Sequence, residues 1–208
     1  TDAKENGIAT YLKMIGALEG YEDGTVKAEN NLTRAEAVTM LVRALGLDTL
    51  GKVQVKTVFK DVPATHWASG YVAVANQKGF ADGVGNNNFD PDAKLTMDQA
   101  IAMILKVLGY QDKYLQGTWP TNVEVAAYGI GLLTKVNNQA LTVGAQYATR
   151  QDFFNLLYNA LGQKLVGWNK NVEAFVPVDA LGQVTGGLYG GGEPVCLKDK
   201  MAGYVSKS

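Results

Sequence analysis

Two arginines and two tryptophans are the residues of this chain best placed to do chemistry, and the chemistry they suit is pairing with an anionic group beside an aromatic face. Arg34 and Arg150 each stand one residue past a threonine, in "TRAE" at 33–36 and "TRQD" at 149–152. A guanidinium can pair a carboxylate through two parallel hydrogen bonds, and the N–H groups of a helix's first turn favour negative charge. Free backbone N–H groups are therefore expected beside both arginines. Trp67 and Trp119 offer flat aromatic faces to a ligand, although packing inside the fold competes for the same residues. Plain solvation at a helix start is the competing role for the arginines. His66, the single histidine, suits a structural hydrogen bond better than a ligand contact.

Other chemistries lack their residues. One His, one Cys and scattered acids offer no nucleophile–base pair or metal cluster, so neither an enzyme nor a cofactor is expected. Cys196 cannot form an internal disulfide. Asn86, Asn88, Asp90 and Asp92 resemble a calcium-binding loop, but Pro91 and Met97 occupy the positions that such a loop gives to Gly and Glu; no metal site is expected. A net charge of −1 supplies no basic field for nucleic acid or an anionic membrane. No apolar run approaches the roughly 20 residues that span a bilayer. No signal peptide is visible, which fits a cytosolic protein and a processed export product equally.

The elements that must position these residues repeat. From Thr33, Thr96 and Thr149, offsets +4, +7, +8, +11 and +12 are apolar in all three copies: Ala37, Met40, Leu41, Ala44, Leu45; Ala100, Met103, Ile104, Val107, Leu108; and Phe153, Leu156, Leu157, Ala160, Leu161. This spacing lays an apolar stripe along a helix. Thr33 with Glu36, Thr96 with Gln99 and Thr149 with Asp152 form capping boxes, the Asp version being the shorter and weaker. Capped helices are thus predicted over Arg34–Leu45, Met97–Leu108 and Arg150–Leu161, touching through their stripes. Gly46, Gly109 and Gly162 are expected to end them in the left-handed conformation. Upstream, helical stretches Ile8–Ile15, Tyr71–Lys78 and Val123–Ile130 run to Gly16, Gly79 and Gly131. Trp67 and Trp119 precede the second and third of these; Lys4 holds the equivalent place in the first.

The stretch "FKDVPATHWASGYVAVANQKGFADGVGNNNFDPDAKLTMDQAIAMILKVLG" resembles an S-layer homology (SLH) domain. Phe59, Asp61, Val62, His66, Trp67, Gly79, Gly83, Phe89, Pro91 and Thr96 fall on that family's pattern, and "LTRAEAVTMLVRALG" matches the end of another unit. "WPTNVEVAAYGIGLL" and "ATRQDFFNLLYNALG" match more loosely. The resemblance implies a mainly α fold of three helix–loop–helix repeats packed with pseudo-three-fold symmetry around a central three-helix bundle. It also implies a non-catalytic module of a bacterial surface protein, lodged in the cell wall or S-layer. Its partner would be an acidic, often pyruvylated polysaccharide attached to peptidoglycan, with no nucleic acid, no membrane insertion and room for further domains in a longer parent. A helical-repeat scaffold for protein–protein interaction at the cell surface remains the alternative.

On this reading the repeats are 1–50 (lacking its lead-in segment), 51–110 and 111–165, joined in one composite domain, with 166–208 as an extension or linker. Arg34, Arg150, Trp67 and Trp119 are the expected polysaccharide contacts. Met97 stands where the other copies have Arg, and Lys135 where the second has Gly83, so one or two grooves are expected to be competent. Alanine at Arg34 or Arg150 is expected to weaken wall binding while leaving the fold intact. In the tail, "GGLYGGGEP" reads as a turn or linker, and "NVEAFVPVDALGQVTGG" as holding a short strand pair. "AFVPVD" is a candidate to fill the lead-in place beside Gly16.

Overall fold

In a computed structural model that describes residues 7–185 and 191–201, the three threonines each open a helix whose capping box is complete. These helices are α2 (Arg34–Ala44), α5 (Met97–Leu108) and α7 (Arg150–Leu161). In each, the threonine hydroxyl accepts the N–H three residues on, while that residue's side chain accepts the threonine N–H. The Asp152 version closes as tightly as the others, at 2.8 and 3.0 Å. Every stripe position is buried except Leu45, which lies just past α2 and packs half-buried on the core. α5 packs against both α2 and α7.

Around these lie α1 (Gly7–Met14), α3 (Asp48–Gly51), α4 (Ser69–Lys78) and α6 (Thr121–Gly129), making seven helices among the described residues. The sequence pattern missed α3, which at four residues is too short to show a period. α4 ends at Gly79 in the left-handed conformation, and Gly16 and Gly131 are also left-handed. Gly46 and Gly109 share it, at φ 74° and 106°, but Gly162 does not: its φ is −83°, and the chain leads onward through Gln163 into the tail. Lys4 lies outside the described residues, as does the 186–190 part of the glycine-rich stretch.

The segments leading into the three helices are tied to one another in a closed cycle. Leu95 N–H donates to the Leu32 carbonyl, Ala148 N–H to Leu95 and Leu32 N–H to Ala148. Single β-bridges follow the same order: Thr33 with Lys94, Thr96 with Tyr147, Thr149 with Asn31. Each of the three lead-in segments therefore pairs with both others through its backbone.

The tail is docked. β1 (Val166–Asn169) pairs antiparallel with β2 (Ala174–Pro177), so the strand pair begins before the segment expected to contain it and leaves Lys170–Glu173 as its turn. Trp168 stacks on Tyr114 with ring centroids 4.4 Å apart, and Phe175 packs on Tyr110. "AFVPVD" is thus seated against the connection after α5 rather than beside Gly16, because its aromatic ring finds aromatic partners there. The returning chain ends in a 3-10 turn (Leu197–Lys200) that places Leu197 and Met201 in the core beneath α2 and α7. The Val166 and Lys200 carbonyls press so close to Gly109 and Gly46 that no Cβ would fit at either.

Candidate functional site

The first-turn N–H groups of α2, α5 and α7 are engaged, which corrects the expectation that they are free beside the arginines. Arg34, Met97 and Arg150 donate their N–H to the Ala93, Gln146 and Asn30 carbonyls, and the next residues donate to Pro91, Gly144 and Ala28. The third N–H of each goes to its capping threonine. Neighbouring repeats consume the donors an anion would need.

The arginine side chains also cross between repeats. Arg34 donates through Nε to the Phe89 carbonyl (2.9 Å) and through Nη2 to Asp82 O (2.7 Å), with its guanidinium over the Phe89 ring. Burial draws its pKa below the ordinary value, against the opposing pull of Asp90, Asp82 and Asp61. Arg150 is only 4% exposed. It donates to Val26 O at 2.7 Å, ion-pairs with Glu36, and lies between the Tyr21 and Phe154 rings. Glu36 also accepts from Tyr21 Oη at 2.7 Å. Burial first, then this hydrogen bond, pushes the Tyr21 phenol up to about 12. Arg150 is therefore a fold residue as much as a candidate contact, and its alanine variant is not structurally neutral. Met97 is buried at the equivalent place in the second repeat.

Trp67 and Trp119 are 55% and 54% exposed, so neither is a core residue. His66 Nδ1 accepts the Ala68 N–H at 3.0 Å and the ring stacks on Trp67, a structural role. Asp61 binds the Phe89 and Asp90 N–H groups at 2.9 and 2.8 Å, fixing the loop ahead of α5.

A groove of about 560 Å³ opens where the first two repeats meet. α2 forms its floor with Glu36, Met40 and Arg43. The 18–21 loop makes one wall, Lys52, Trp67 and Tyr71 the other, and Asp92 and Arg150 also line it. Sequence reasoning missed Arg43, which is 9% exposed and is the groove's central cation. It donates to Asp48 at 3.0 Å, Glu19 at 2.8 Å and Tyr71 Oη at 3.3 Å. Burial alone would lower its pKa, but Tyr71, Asp48 and Glu19 outweigh that and raise it. Asp48 also receives Tyr71 Oη at 2.6 Å and Lys52 at 3.0 Å. These partners overcome the effect of burial and hold Asp48 below the carboxylate range.

A signal for Arg43 existed. At offset +10 from the threonines stand Arg43, Lys106 and Asn159. Each reaches the residue three past the left-handed glycine that follows its repeat's earlier helix (Gly16, Gly79 or Gly131): Arg43 to Glu19, Lys106 to Asp82 at 3.9 Å, and Asn159 to the Thr134 carbonyl at 2.8 Å. That position lies off the apolar stripe, where the hydrophobic period does not look.

Among the described residues no group of three or more His, Cys, Asp or Glu could hold a metal ion, and no helix is long and apolar enough to cross a membrane. Residues 10–38 and 58–101 match the S-layer homology domain. The chain is 32% identical over 161 residues (77% of its length) to the middle cell wall protein of Brevibacillus brevis, covering 15% of that protein. It is 32% identical over 166 residues (79%) to a surface layer protein of Brevibacillus choshinensis, covering 14% of it. Over 103 residues (49%) it is 35% identical to a cellulosome-anchoring protein of Acetivibrio thermocellus, covering 23%. It thus spans less than a quarter of each of these relatives.

Proposed function

The chain belongs to the S-layer homology domain family of bacterial cell-surface proteins, and we propose that it anchors a longer protein to the bacterial cell wall by binding an acidic wall polysaccharide, without catalysis. The observation that carries this reading is the groove beside α2, where the exposed Trp67 ring stands with Arg43, Lys52 and Arg150. An acidic sugar needs an aromatic face for its ring and a cation for its carboxylate, and this groove offers both.

On this reading the ligand carboxylate takes the place of Glu19, whose side chain is 72% exposed, on the nearly buried Arg43. The exchange trades one charge-assisted pair for another, so the buried guanidinium is never left unpaired. Arg150 supplies a fixed positive charge at the groove while bracing Tyr21. The arrangement is cyclic: the arginine comes from one repeat, the loop from the next and the tryptophan from the one after. By the same relation Arg34, which reaches the 82–89 loop, belongs with Trp119 in a second groove. The third groove has Met97 in place of the arginine. The closed cycle of backbone hydrogen bonds supports a pseudo-three-fold assembly of three repeats around α2, α5 and α7. Sedimentation with purified wall sacculi tests the function: the chain pellets with intact walls and stays in solution once hydrofluoric acid has stripped the polymer. A protein-interaction scaffold ignores both treatments.

A further inference from the structure

The cation at the centre of the first groove is held by a hydroxyl that neither of the other repeats supplies. Arg43 donates its Nε–H to Asp48 Oδ1 at 3.0 Å, and its Nη2 donates to Glu19 at 2.8 Å and to Tyr71 Oη at 3.3 Å. Tyr71 Oη in turn donates to the same Asp48 Oδ1 at 2.6 Å. The phenol oxygen therefore stands between Nη2 and Asp48, accepting from one and giving its single proton to the other. Burial first, and then the Asp48 hydrogen bond, hold the Tyr71 phenol above its ordinary pKa, so it remains a donor. The ring has no room to swing aside. Tyr71 is buried, the Arg43 guanidinium lies over its face, and Gly51 is so close that a Cβ there would strike it. Ile8 and Val123 stand at the corresponding places, eight residues before Gly16 and Gly131 as Tyr71 stands before Gly79. Both are buried and apolar, and in the second repeat Lys106, at the place of Arg43, pairs directly with Asp112 at 3.2 Å.

An arginine beside an aspartate, left to itself, closes on it side-on, with Nε and Nη2 each on a carboxylate oxygen. Asp48 has the reach for this, since it already holds Nε. We propose that Tyr71 is the positioning residue of the first groove: its interposed hydroxyl keeps Asp48 from drawing in the whole Arg43 fork, and so keeps Nη2 at the place that Glu19 holds and a ligand carboxylate would take. Asp48 is the other half of the device. It fixes one edge of the guanidinium, so the groove meets a cation of set orientation, and Lys52 at 3.0 Å offsets part of its pull. The value of this to an incoming anion rests on the wall-binding reading above; the position of the guanidinium does not.

Tyr71→Phe keeps the ring and deletes the interposed oxygen. In a crystal structure of the ligand-free variant, Arg43 Nη2 should lie within hydrogen-bond distance of Asp48 and should have left Glu19. An Arg43 that keeps its Glu19 bond and stays off Asp48 would overturn the proposal, whatever the groove binds. Binding is then read with sodium glucuronate, titrated into the whole chain while the Trp67 indole N–H signal is followed by NMR. Tyr71→Phe should weaken glucuronate several-fold. Asp48→Asn added to it leaves a single acceptor oxygen and no charge, so affinity should return close to that of the parent. A loss that Asp48→Asn does not restore would also refute the proposal, since Tyr71 would then act through packing alone. A parent chain that binds neither glucuronate nor isolated wall polymer would sink the wall-binding reading, and the structure of Tyr71→Phe would still decide the positioning.

Discussion

Replacing Arg150 by alanine removes a guanidinium that ties the third repeat to the first at three points. Its Nε bonds the Val26 carbonyl at 2.7 Å, its Nη1 pairs with Glu36, and its plane rests between Tyr21 and Phe154. Breaking a buried ion pair from one side costs about 3–5 kcal/mol, because the remaining charge keeps its desolvation penalty. Glu36 is not wholly stranded here: it still accepts the Thr33 N–H at 3.1 Å and Tyr21 Oη at 2.7 Å. The lower end, about 3 kcal/mol, is therefore expected. For a chain of this size that corresponds to a fall in Tm of roughly 6–12 °C. Denaturant unfolding of the parent, Arg150→Ala, Glu36→Gln and the double variant measures both the loss and the coupling, which should exceed about 1 kcal/mol. Arg150→Ala unfolding within about 0.5 kcal/mol of the parent would refute the reasoning, and Arg150 would then be the solvated helix-start residue that its sequence position also allowed.

Three further outcomes follow from the tail and the groove. Gly109→Ala forces a Cβ into the Val166 carbonyl at a residue with φ 106°, so it should destabilise by roughly 2 kcal/mol or more in thermal unfolding. Removing residues 166–208 should likewise lower Tm, since Val178, Leu197 and Met201 leave the core; an unchanged Tm would make the tail a linker. Glu19→Gln removes the acid that competes for Arg43, so binding to isolated walls should tighten several-fold in a pelleting titration, whereas weaker binding would place the ligand carboxylate elsewhere.

The parts of this fold that were legible in the sequence are those written within one repeat. Thr33, Thr96 and Thr149 with their partners three residues on determine cap and stripe from adjacent side chains, and the structure keeps all three boxes. What escaped is written between repeats. Nothing near Arg34 in the chain reveals that the Ala93 and Pro91 carbonyls take its helix's first N–H groups, since those partners lie more than fifty residues away. Arg150 looks exposed beside its own cap and is buried only because Tyr21 and Val26 of the first repeat close over it. Arg43 hid for a different reason: it sits off the apolar stripe, and only alignment of offset +10 across the repeats exposes it. The tail has no period at all, and its docking depends on ring contacts such as Trp168 on Tyr114.

Affinity for isolated wall polymer, measured with Trp67→Ala beside the parent, tests the central claim most directly. Trp67 is 55% exposed, so its loss should spare the fold, which an unchanged Tm verifies. Loss of its ring contact is worth roughly 1.5–3 kcal/mol if a sugar lies on it. Binding should then weaken about 10- to 100-fold, and further with Trp119→Ala if the second groove takes part. Parent-like affinity in the Trp67→Ala, Trp119→Ala double variant would contradict the account and leave both grooves without a ligand.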